Sequence, residues 1–210
     1  MEAPAGGRYL SGARRAQLVD SNGPAIAAAA GAAGAEVVVR RQVGDDERAF
    51  RDALDDLPDV DLVVTTGGVS MGAYDVVKAT LAHRGIAFEA VAMQPGKPQA
   101  WGRLDGARPF LGLPGNPVSA LVSFELFGRA ALDAERSMFT ATLVEDGPKG
   151  APGRRRYLRG VVADGRVRLL GGTQSHLVVG MARANCLVIV PEADEQLRAG
   201  QQASVILLDS

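Results

Sequence analysis

The sequence contains one cysteine, and this scarcity excludes two kinds of site. A single thiol, Cys186, cannot form an intramolecular disulfide and cannot build a zinc site from several thiolates. Both exclusions fit the reducing cytoplasm, which is the location that we expect. Histidine is also scarce, and we interpret His83 and His176 as structural or surface residues.

The chain also lacks an excess of positive charge. Its 23 Lys and Arg residues are balanced by 24 Asp and Glu residues, and no basic stripe with interleaved aromatic residues is visible. A nucleic-acid groove needs such a stripe. We therefore expect no nucleic-acid partner.

Long apolar runs are absent as well. The most extended small-apolar run, residues 25–35, is interrupted by glycine and is far too short to span a bilayer. The first residues lack the basic and apolar regions of a signal peptide. The sequence thus predicts a soluble protein with no membrane partner.

What the sequence does contain, after an irregular segment at residues 1–19, is an alternation of helical and strand patterns over residues 20–136. This alternation is typical of a doubly wound, mostly parallel sheet in an α/β domain, whose strand-end loops meet at one edge. The expected elements are a helix from Pro24 to about Ala33 capped by Asn22 or Gly23, a buried strand at 35–40, a helix ending near Pro58, a strand at 60–66, a helix at 74–84, a strand at 86–93, a loop at 94–104 leading into a further strand, a strand at 109–113, and an amphipathic helix from Pro117 to about Glu135.

The pattern changes near Met138. Short β-prone segments separated by turn residues replace the helical periods. They predict a second, small all-β barrel domain over residues 137–210.

The first candidate site is the segment "TTGGVSMGAYD", residues 65–75, which follows a predicted strand. Its glycines permit positive φ and let a ligand approach the backbone closely, and the amides of a following helix attract an anion. The glycines are Gly67, Gly68 and Gly72, and Thr65, Thr66 and Ser70 add hydroxyl donors.

Asp75 completes this segment and allows two interpretations. It is placed to bind a metal ion or to order a water molecule. Alternatively, the segment is a glycine-rich βα turn and Asp75 is an acid at a helix start.

The second candidate site is the segment "QPGKP", which holds Lys97 between Pro95 and Pro98. Proline restricts the backbone, so the ammonium is fixed at a lower entropy cost and is suited to a phosphate or an oxyanion. The alternative is a surface lysine in a rigid turn.

The third candidate site is "LPGNPVSA", in which prolines shape a loop that enters a helix at once. Asn116 and Ser119 supply its polar groups. The alternative is a simple helix start, with Asn116 as the N-cap and Pro117 as the first helical residue. Because all three loops follow predicted strands of one sheet, we expect them to converge on one cleft.

Four motifs together resemble those of one family. "DSNGP", "TTGGVSMGAYDVVK", "PGKP" followed by "AWG", and "GLPGNPVSALVSFEL" are similar to the molybdopterin-binding domain of the molybdopterin molybdenumtransferase family, which includes the gephyrin E domain. The resemblance covers roughly residues 20–136. The segment "ANCLVIVPEADEQLRAGQQASVILL" is similar to the C-terminal β-barrel of the same family.

The resemblance implies a reaction, which is the insertion of molybdate into adenylylated molybdopterin with release of AMP, assisted by Mg²⁺. It implies catalytic roles for Asp75, also as the metal ligand, and for Lys97, which would neutralise oxyanion charge. The residues that it assigns to pterin or adenylate binding are Thr66, Gly67, Gly68, Ser70, Gly72, Pro95, Gly96, Pro114, Gly115, Asn116 and Ser119. It also implies a family homodimer and, as a possible partner, a molybdopterin adenylyltransferase.

The sequence departs from this family at its start. Family members begin the domain with a strand that ends in a "TGDEL"-like motif, whereas this chain begins "MEAPAGGRYLSGARRAQLVDSN". We therefore expect the first strand of the sheet, part of the site and most of the dimer contacts to be missing. Two alternatives to the enzyme are a non-catalytic molybdopterin-binding or scaffold module and a related adenylyltransferase or pyrophosphatase.

Overall fold

The computed structural model describes residues 20–44, 46–69, 76–150, 152–171 and 178–208. Its helices are α1 (Asn22–Ala32), α2 (Glu47–Asp55), α3 (Val76–Leu81), α4 (Pro117–Ser123), α5 (Arg129–Ala131) and α6 (Val178–Arg183). Its strands are β1 (Val63–Thr66), β2 (Ile86–Ala90), β3 (Met93–Gln94), β4 (Pro98–Leu104), β5 (Arg108–Leu113), β6 (Met138–Leu143), β7 (Arg155–Ala163), β8 (Arg166–Leu169), β9 (Cys186–Val190) and β10 (Gln202–Leu207). An α/β sheet followed by a β-barrel confirms the predicted fold class.

The first sheet has the strand order β1-β5-β4-β2. Strand β5 pairs in parallel with β1, and β4 pairs antiparallel with both β5 and β2. Three strands therefore share one direction and β4 opposes them. A tight three-residue turn joins β4 to β5 as a hairpin, with Asp105 and Gly106 at positive φ, and this turn accounts for the one antiparallel strand of the described sheet. Strand β4 also occupies most of the segment that was predicted as a loop.

Two predictions near α1 are wrong. The helix begins at Asn22, and the side chain that caps it is Asp20, whose Oδ1 accepts a 2.9 Å hydrogen bond from the Gly23 amide. Residues 35–40 form no strand in the described structure, and Val38 is 55% exposed. A strand needs a neighbour to satisfy its backbone, and in the described ranges β1 pairs only with β5, so its other edge receives no strand.

The helix that starts at Pro117 changes its winding in the middle. A π-helical turn, Phe124–Gly128, separates α4 from α5, and the whole run ends at Ala131, a few residues before the predicted end. The π-turn brings the buried Glu125 next to Arg129 Nε at 2.8 Å and Arg136 Nε at 2.9 Å. One carboxylate therefore contacts both Arg129, which is buried, and Arg136, which is half-buried.

The second sheet closes into a five-stranded barrel. The strands follow the order β7-β8-β6-β10-β9, and an additional pairing of β9 with β7 completes the ring. Its interior is packed with fully buried aliphatic side chains, among them Val167, Val188 and Val205. The five predicted β-segments are confirmed, and the short helix α6 interrupts the otherwise all-β pattern.

Strand β3 and a cluster of buried side chains connect the barrel to the first sheet. The predicted strand at 86–93 is divided, because β2 ends at Ala90 and β3 leaves the first sheet to pair in parallel with β7. Buried apolar side chains from both parts form one cluster at this junction. Its fully or nearly fully buried members are Met93, Val118, Val122, Leu187 and Ile206. In the described part of the chain, no helix combines the length and apolarity needed to cross a membrane.

Candidate functional site

The ends of β1 and β5 place two glycine loops against each other. The Gly67 amide donates a 2.9 Å hydrogen bond to the Leu113 carbonyl, which extends the pairing of the two parallel strands by one step. A Cβ atom added to Gly115 would lie 3.4 Å from the Cα of Gly67. Gly67 and Gly68 both have positive φ, at 84° and 71°, which turns the chain sharply after β1.

The loop Gln94–Pro98, here called the lysine loop, lies at the same edge of the sheet. Strand β2 runs in the direction of β1 and β5, and its last residue, Ala90, pairs with Pro98, the first residue of β4. The loop between them therefore emerges where β1 and β5 end. Lys97 is exposed, and its carbonyl accepts a 2.8 Å hydrogen bond from the Val91 amide.

Strand direction therefore places the three loops at one edge of the sheet, and their convergence on one cleft stays a prediction. This edge carries Thr66, Gly67 and Gly68 after β1, Pro95, Gly96 and Lys97 after β2, and Pro114, Gly115 and Asn116 after β5. The binding roles assigned to these residues stay predictions. Ser70, Gly72, Asp75 and His176 lie outside the described residues, and His83 is exposed, as expected.

The start of α4 differs from a simple helix cap. Asn116 occupies the N-cap position and Pro117 the first helical position, but the Asn116 side chain makes no capping hydrogen bond. Asn116 is exposed at the loop edge, whereas Ser119 lies one turn later and is 5% exposed. The Asn116 side chain is thus exposed and does not cap its helix, and its contact with a ligand stays a prediction.

Three residues that sequence reasoning did not assign to the site lie beside it. Asn22 Nδ2 donates a 2.7 Å hydrogen bond to the Gly115 carbonyl, and Gln99 Nε2 donates to the Gly96 carbonyl and to Ser123 Oγ. The motif "DSNGP" contained Asn22, but the local pattern indicated a helix cap. No sequence signal identified Gln99 or Ser123, because their contact depends on how β4 packs against α4.

Unpaired polar atoms accumulate around the same edge. Thr65 Oγ1, Asn22 Oδ1 and Gln99 Oε1 are buried and have no hydrogen-bond partner among the described residues. Buried polar groups are rarely left unsatisfied in folded proteins, so such atoms mark places where water or a ligand is bound.

The described part of the site offers neutral donors and one ammonium rather than a metal cluster. Within the described ranges, no group of three or more His, Cys, Asp and Glu side chains is arranged to hold a metal ion. Lys97 and backbone amides of the loops complement negative charge. The arrangement is suited to anions such as phosphate or an oxometallate.

Comparison with known proteins agrees with this chemistry. Residues 6–134 match a family model described as a probable molybdopterin binding domain, and residues 143–208 match the MoeA C-terminal region (domain IV). The chain belongs to the molybdopterin-binding domain family. Its resemblance to the molybdopterin molybdenumtransferase family is confirmed, and the chain groups with proteins of molybdenum cofactor biosynthesis.

Individual relatives of this family extend the comparison. Molybdopterin molybdenumtransferase 2 of Mycobacterium tuberculosis is 40% identical over 90% of this chain, and molybdopterin molybdenumtransferase of Staphylococcus aureus is 34% identical over 92%. The chain spans about half the length of these curated relatives, 50% and 49%. A solved molybdenum cofactor biosynthesis protein of Pyrococcus furiosus shares the fold, with a TM-score of 0.72 at 24% identity over 90% of this chain and 64% of its own.

Proposed function

We propose that this chain carries the pterin-binding part of a molybdopterin molybdenumtransferase, which inserts molybdate into adenylylated molybdopterin and releases AMP. The observation that supports this proposal is the contact of the Gly67 and Gly115 loops at the edge where the lysine loop also emerges. In this proposal the loops that follow β1, β2 and β5, which carry the family's own motifs, together bind an anion. We call residues 66–68, 95–97 and 114–116 of these loops the rim.

The proposed chemistry relies on positive electrostatics instead of a strong nucleophile. Adenylylated molybdopterin carries phosphates and molybdate is an oxyanion, so fixed donors stabilise both reactants and the charge that develops between them. In this proposal Thr66, Gly67, Gly68, Ser70 and Gly72 hold the pterin phosphate or the adenylate.

The other two loops have complementary roles in the proposal. Lys97 neutralises oxyanion charge, with Pro95 and Gly96 shaping its loop. Pro114, Gly115, Asn116 and Ser119 line the pterin pocket. Each of these positions lies on the rim or on the first turn of α4 directly behind it.

Mg²⁺ is part of the proposal through Asp75. Proteins commonly hold Mg²⁺ by one or two carboxylates together with substrate phosphates, so a dedicated cluster of acids is not required. We assign no step of the reaction to the ion, because the described residues contain no carboxylate set that would position it. A molybdopterin adenylyltransferase as the supplier of the substrate, a homodimeric assembly and a cytoplasmic location belong to the same proposal.

A second candidate function is a molybdopterin-binding module without turnover. The observation that favours it is the composition of the described rim, which provides backbone amides, Asn116 and the Lys97 ammonium. Such a surface is able to bind an anionic pterin without promoting metal insertion.

Binding and turnover measurements separate the two functions. We would titrate the chain anaerobically with adenylylated molybdopterin and then add molybdate and Mg²⁺ and follow AMP release. Lys97→Ala should weaken binding about tenfold, because it removes a charge-assisted contact. Lys149→Ala removes an equally exposed lysine from a barrel loop and should leave binding unchanged.

The outcomes are distinct. AMP release that depends on molybdate supports the enzyme, and tight binding without AMP release supports the binding module. Formation of adenylylated molybdopterin from ATP and molybdopterin would instead indicate an adenylyltransferase. A folded chain with no affinity for the pterin nucleotide would contradict the proposal.

A further inference from the structure

The lysine loop is held from two sides by residues to which the sequence motifs assigned no role. On one side lies Gln99, the second residue of β4, whose side chain is 1% exposed. Its Nε2 donates a 2.7 Å hydrogen bond to the Gly96 carbonyl and a second bond to Ser123 Oγ, which is fully buried on α4. One amide group therefore links the residue before Lys97 to the helix that starts at Pro117.

The backbone at Gly96 is seated directly against this pair. Gly96 has a φ of 104°, and a Cβ atom added there would lie 2.7 Å from Ser123 Oγ and 2.9 Å from Met93 Cε. Only a glycine allows the loop to approach α4 so closely. The loop thus has little room to move without breaking the Gln99 bonds.

The barrel holds the other side of the loop. Met93 and Gln94 pair in parallel with Arg155 and Arg156 of β7, and the Arg155 amide donates a 2.9 Å bond to the Ala92 carbonyl. Met93 is also buried in the cluster between α4 and the barrel. The lysine loop is therefore preceded by a strand that pairs with the barrel strand β7.

The contacts of Gln99 with Ser123 and the pairing of β3 with β7 flank Lys97 on its two sides. The bond from the Val91 amide to the Lys97 carbonyl closes the loop, and β4 begins at the next residue. The backbone of Lys97 is fixed on both sides while its side chain is exposed. This arrangement lowers the entropy cost of placing the ammonium at the rim.

We propose that Gln99 and Ser123 are positioning residues for Lys97, and that the barrel contributes to the site by fixing the start of the lysine loop through β7. The anion-binding role of Lys97 rests on the proposed function. The holding of the loop does not, because it follows from the contacts alone.

The first test measures the loop itself in the full 210-residue chain. Amide hydrogen exchange of Val91 reports the bond to the Lys97 carbonyl. Ser123→Ala and the near-isosteric Gln99→Met should each speed Val91 exchange about tenfold, whereas exchange of the barrel amides of Val188 and Val205 should not change. Unchanged Val91 exchange in both variants, with the chain folded, would overturn the proposal.

The second test uses a double-mutant cycle with adenylylated molybdopterin as the probe. If Ser123 acts through Lys97, Ser123→Ala should weaken binding about tenfold in the unsubstituted chain but less than about twofold in the Lys97→Ala chain. A general structural role would weaken binding equally in both backgrounds, and that result would overturn the proposal. Ser204→Ala and Gln202→Met change exposed residues of β10 and serve as matched controls.

The two tests also distinguish failure of this proposal from failure of the proposed function. A chain that binds no pterin nucleotide but shows faster Val91 exchange in both variants refutes the proposed function and supports the holding of the loop. A chain that binds the nucleotide but shows no coupling between Ser123 and Lys97 refutes the positioning role.

Discussion

Asn22 and Gly115 are 93 positions apart in the sequence, and the Asn22 side chain donates a 2.7 Å hydrogen bond to the Gly115 carbonyl. The bond connects the first turn of α1 to the loop that precedes α4. Because Gly115 also contacts Gly67, one amide group at the start of a helix helps to define where two candidate binding loops meet.

Removing this bond should make the Gly115 loop more mobile. We expect Asn22→Ala to lower the free energy of unfolding by about 0.5–1 kcal/mol, since a side-chain hydrogen bond to the backbone is lost. It should also weaken pterin-nucleotide binding, because the Gly115 loop loses its anchor. Urea unfolding and ligand titration measure the two effects.

The neighbouring Ser21 provides the control for Asn22. Ser21 is exposed and sits at the N-cap position, but its side chain makes no capping bond. Ser21→Ala should therefore change neither quantity measurably. Equal losses in the two variants would show that the helix start, and not the bond to Gly115, is responsible.

The sequence predicted the rim better than it predicted what supports it. The glycines at 67 and 68 and the prolines around Lys97 follow apolar runs, and such local patterns indicate a strand followed by a turn without any knowledge of tertiary contacts. Strand direction then placed these loops at one edge, as the structure confirms. Asn22, by contrast, was assigned to a cap, because its contact with Gly115 depends on the packing of α1 against the sheet.

The errors in the fold have a similar origin. Residues 35–40 have the valines of a strand, but a strand forms only with a neighbour, and in the described structure they have none. The direction of β4 relative to β5 is set by the three-residue turn at 105–107, in which Asp105 and Gly106 have positive φ. The π-turn at 124–128 brings Glu125, Arg129 and Arg136 together, and helical periodicity carries no signal for it.

Gly67 should tolerate a side chain poorly. Its φ of 84° is a conformation that L-residues rarely adopt, so Gly67→Ala should cost about 1 kcal/mol of stability and should displace the amides of the turn. The expected result is a lower unfolding midpoint together with weaker binding of the pterin nucleotide.

A matched glycine lies in the last turn of α1. Gly31 has ordinary helical geometry, and an added Cβ atom there would contact nothing within 4 Å. Gly31→Ala should therefore stabilise the chain, by about 0.5–1 kcal/mol, because alanine loses less backbone entropy in a helix. A destabilised Gly31→Ala chain would contradict this assignment of α1.

Burial of the Cys186 thiol in the barrel makes the free energy of unfolding depend on pH. It is fully buried on β9, and this desolvation raises its pKa from 9.0 to about 11. The unfolded chain therefore ionises the thiol at lower pH than the folded chain does. The contribution to stability is complete below pH 9 and is lost as the pH rises towards 11.

Measuring the free energy of unfolding at several pH values tests whether stability falls as the pH rises. Between pH 9 and 11 the free energy of unfolding of the natural chain should fall more steeply than that of Cys186→Ala, by about 1 kcal/mol per pH unit. The same thiol should resist alkylation at pH 8 in the folded chain and react once urea unfolds the barrel. Rapid alkylation under native conditions would show that β9 is not buried as described.

The last prediction concerns the charged cluster at the π-turn. Glu125 is 8% exposed, and its Oε2 accepts bonds from Arg129 and Arg136, which are also buried or nearly so. Glu125→Ala removes the shared carboxylate from a desolvated place beside two guanidinium groups, so we expect a loss of about 3 kcal/mol of stability. Glu135→Ala, which changes an exposed acid ten positions later, should stay within about 0.5 kcal/mol of the natural chain. Calorimetric unfolding of both variants provides the comparison. Because α4 carries Ser123 on its buried face, a Glu125→Ala chain that remains folded should also show faster amide exchange at Val91. Similar stabilities of the two variants would mean that the carboxylate contributes no more at the π-turn than an acid exposed to solvent.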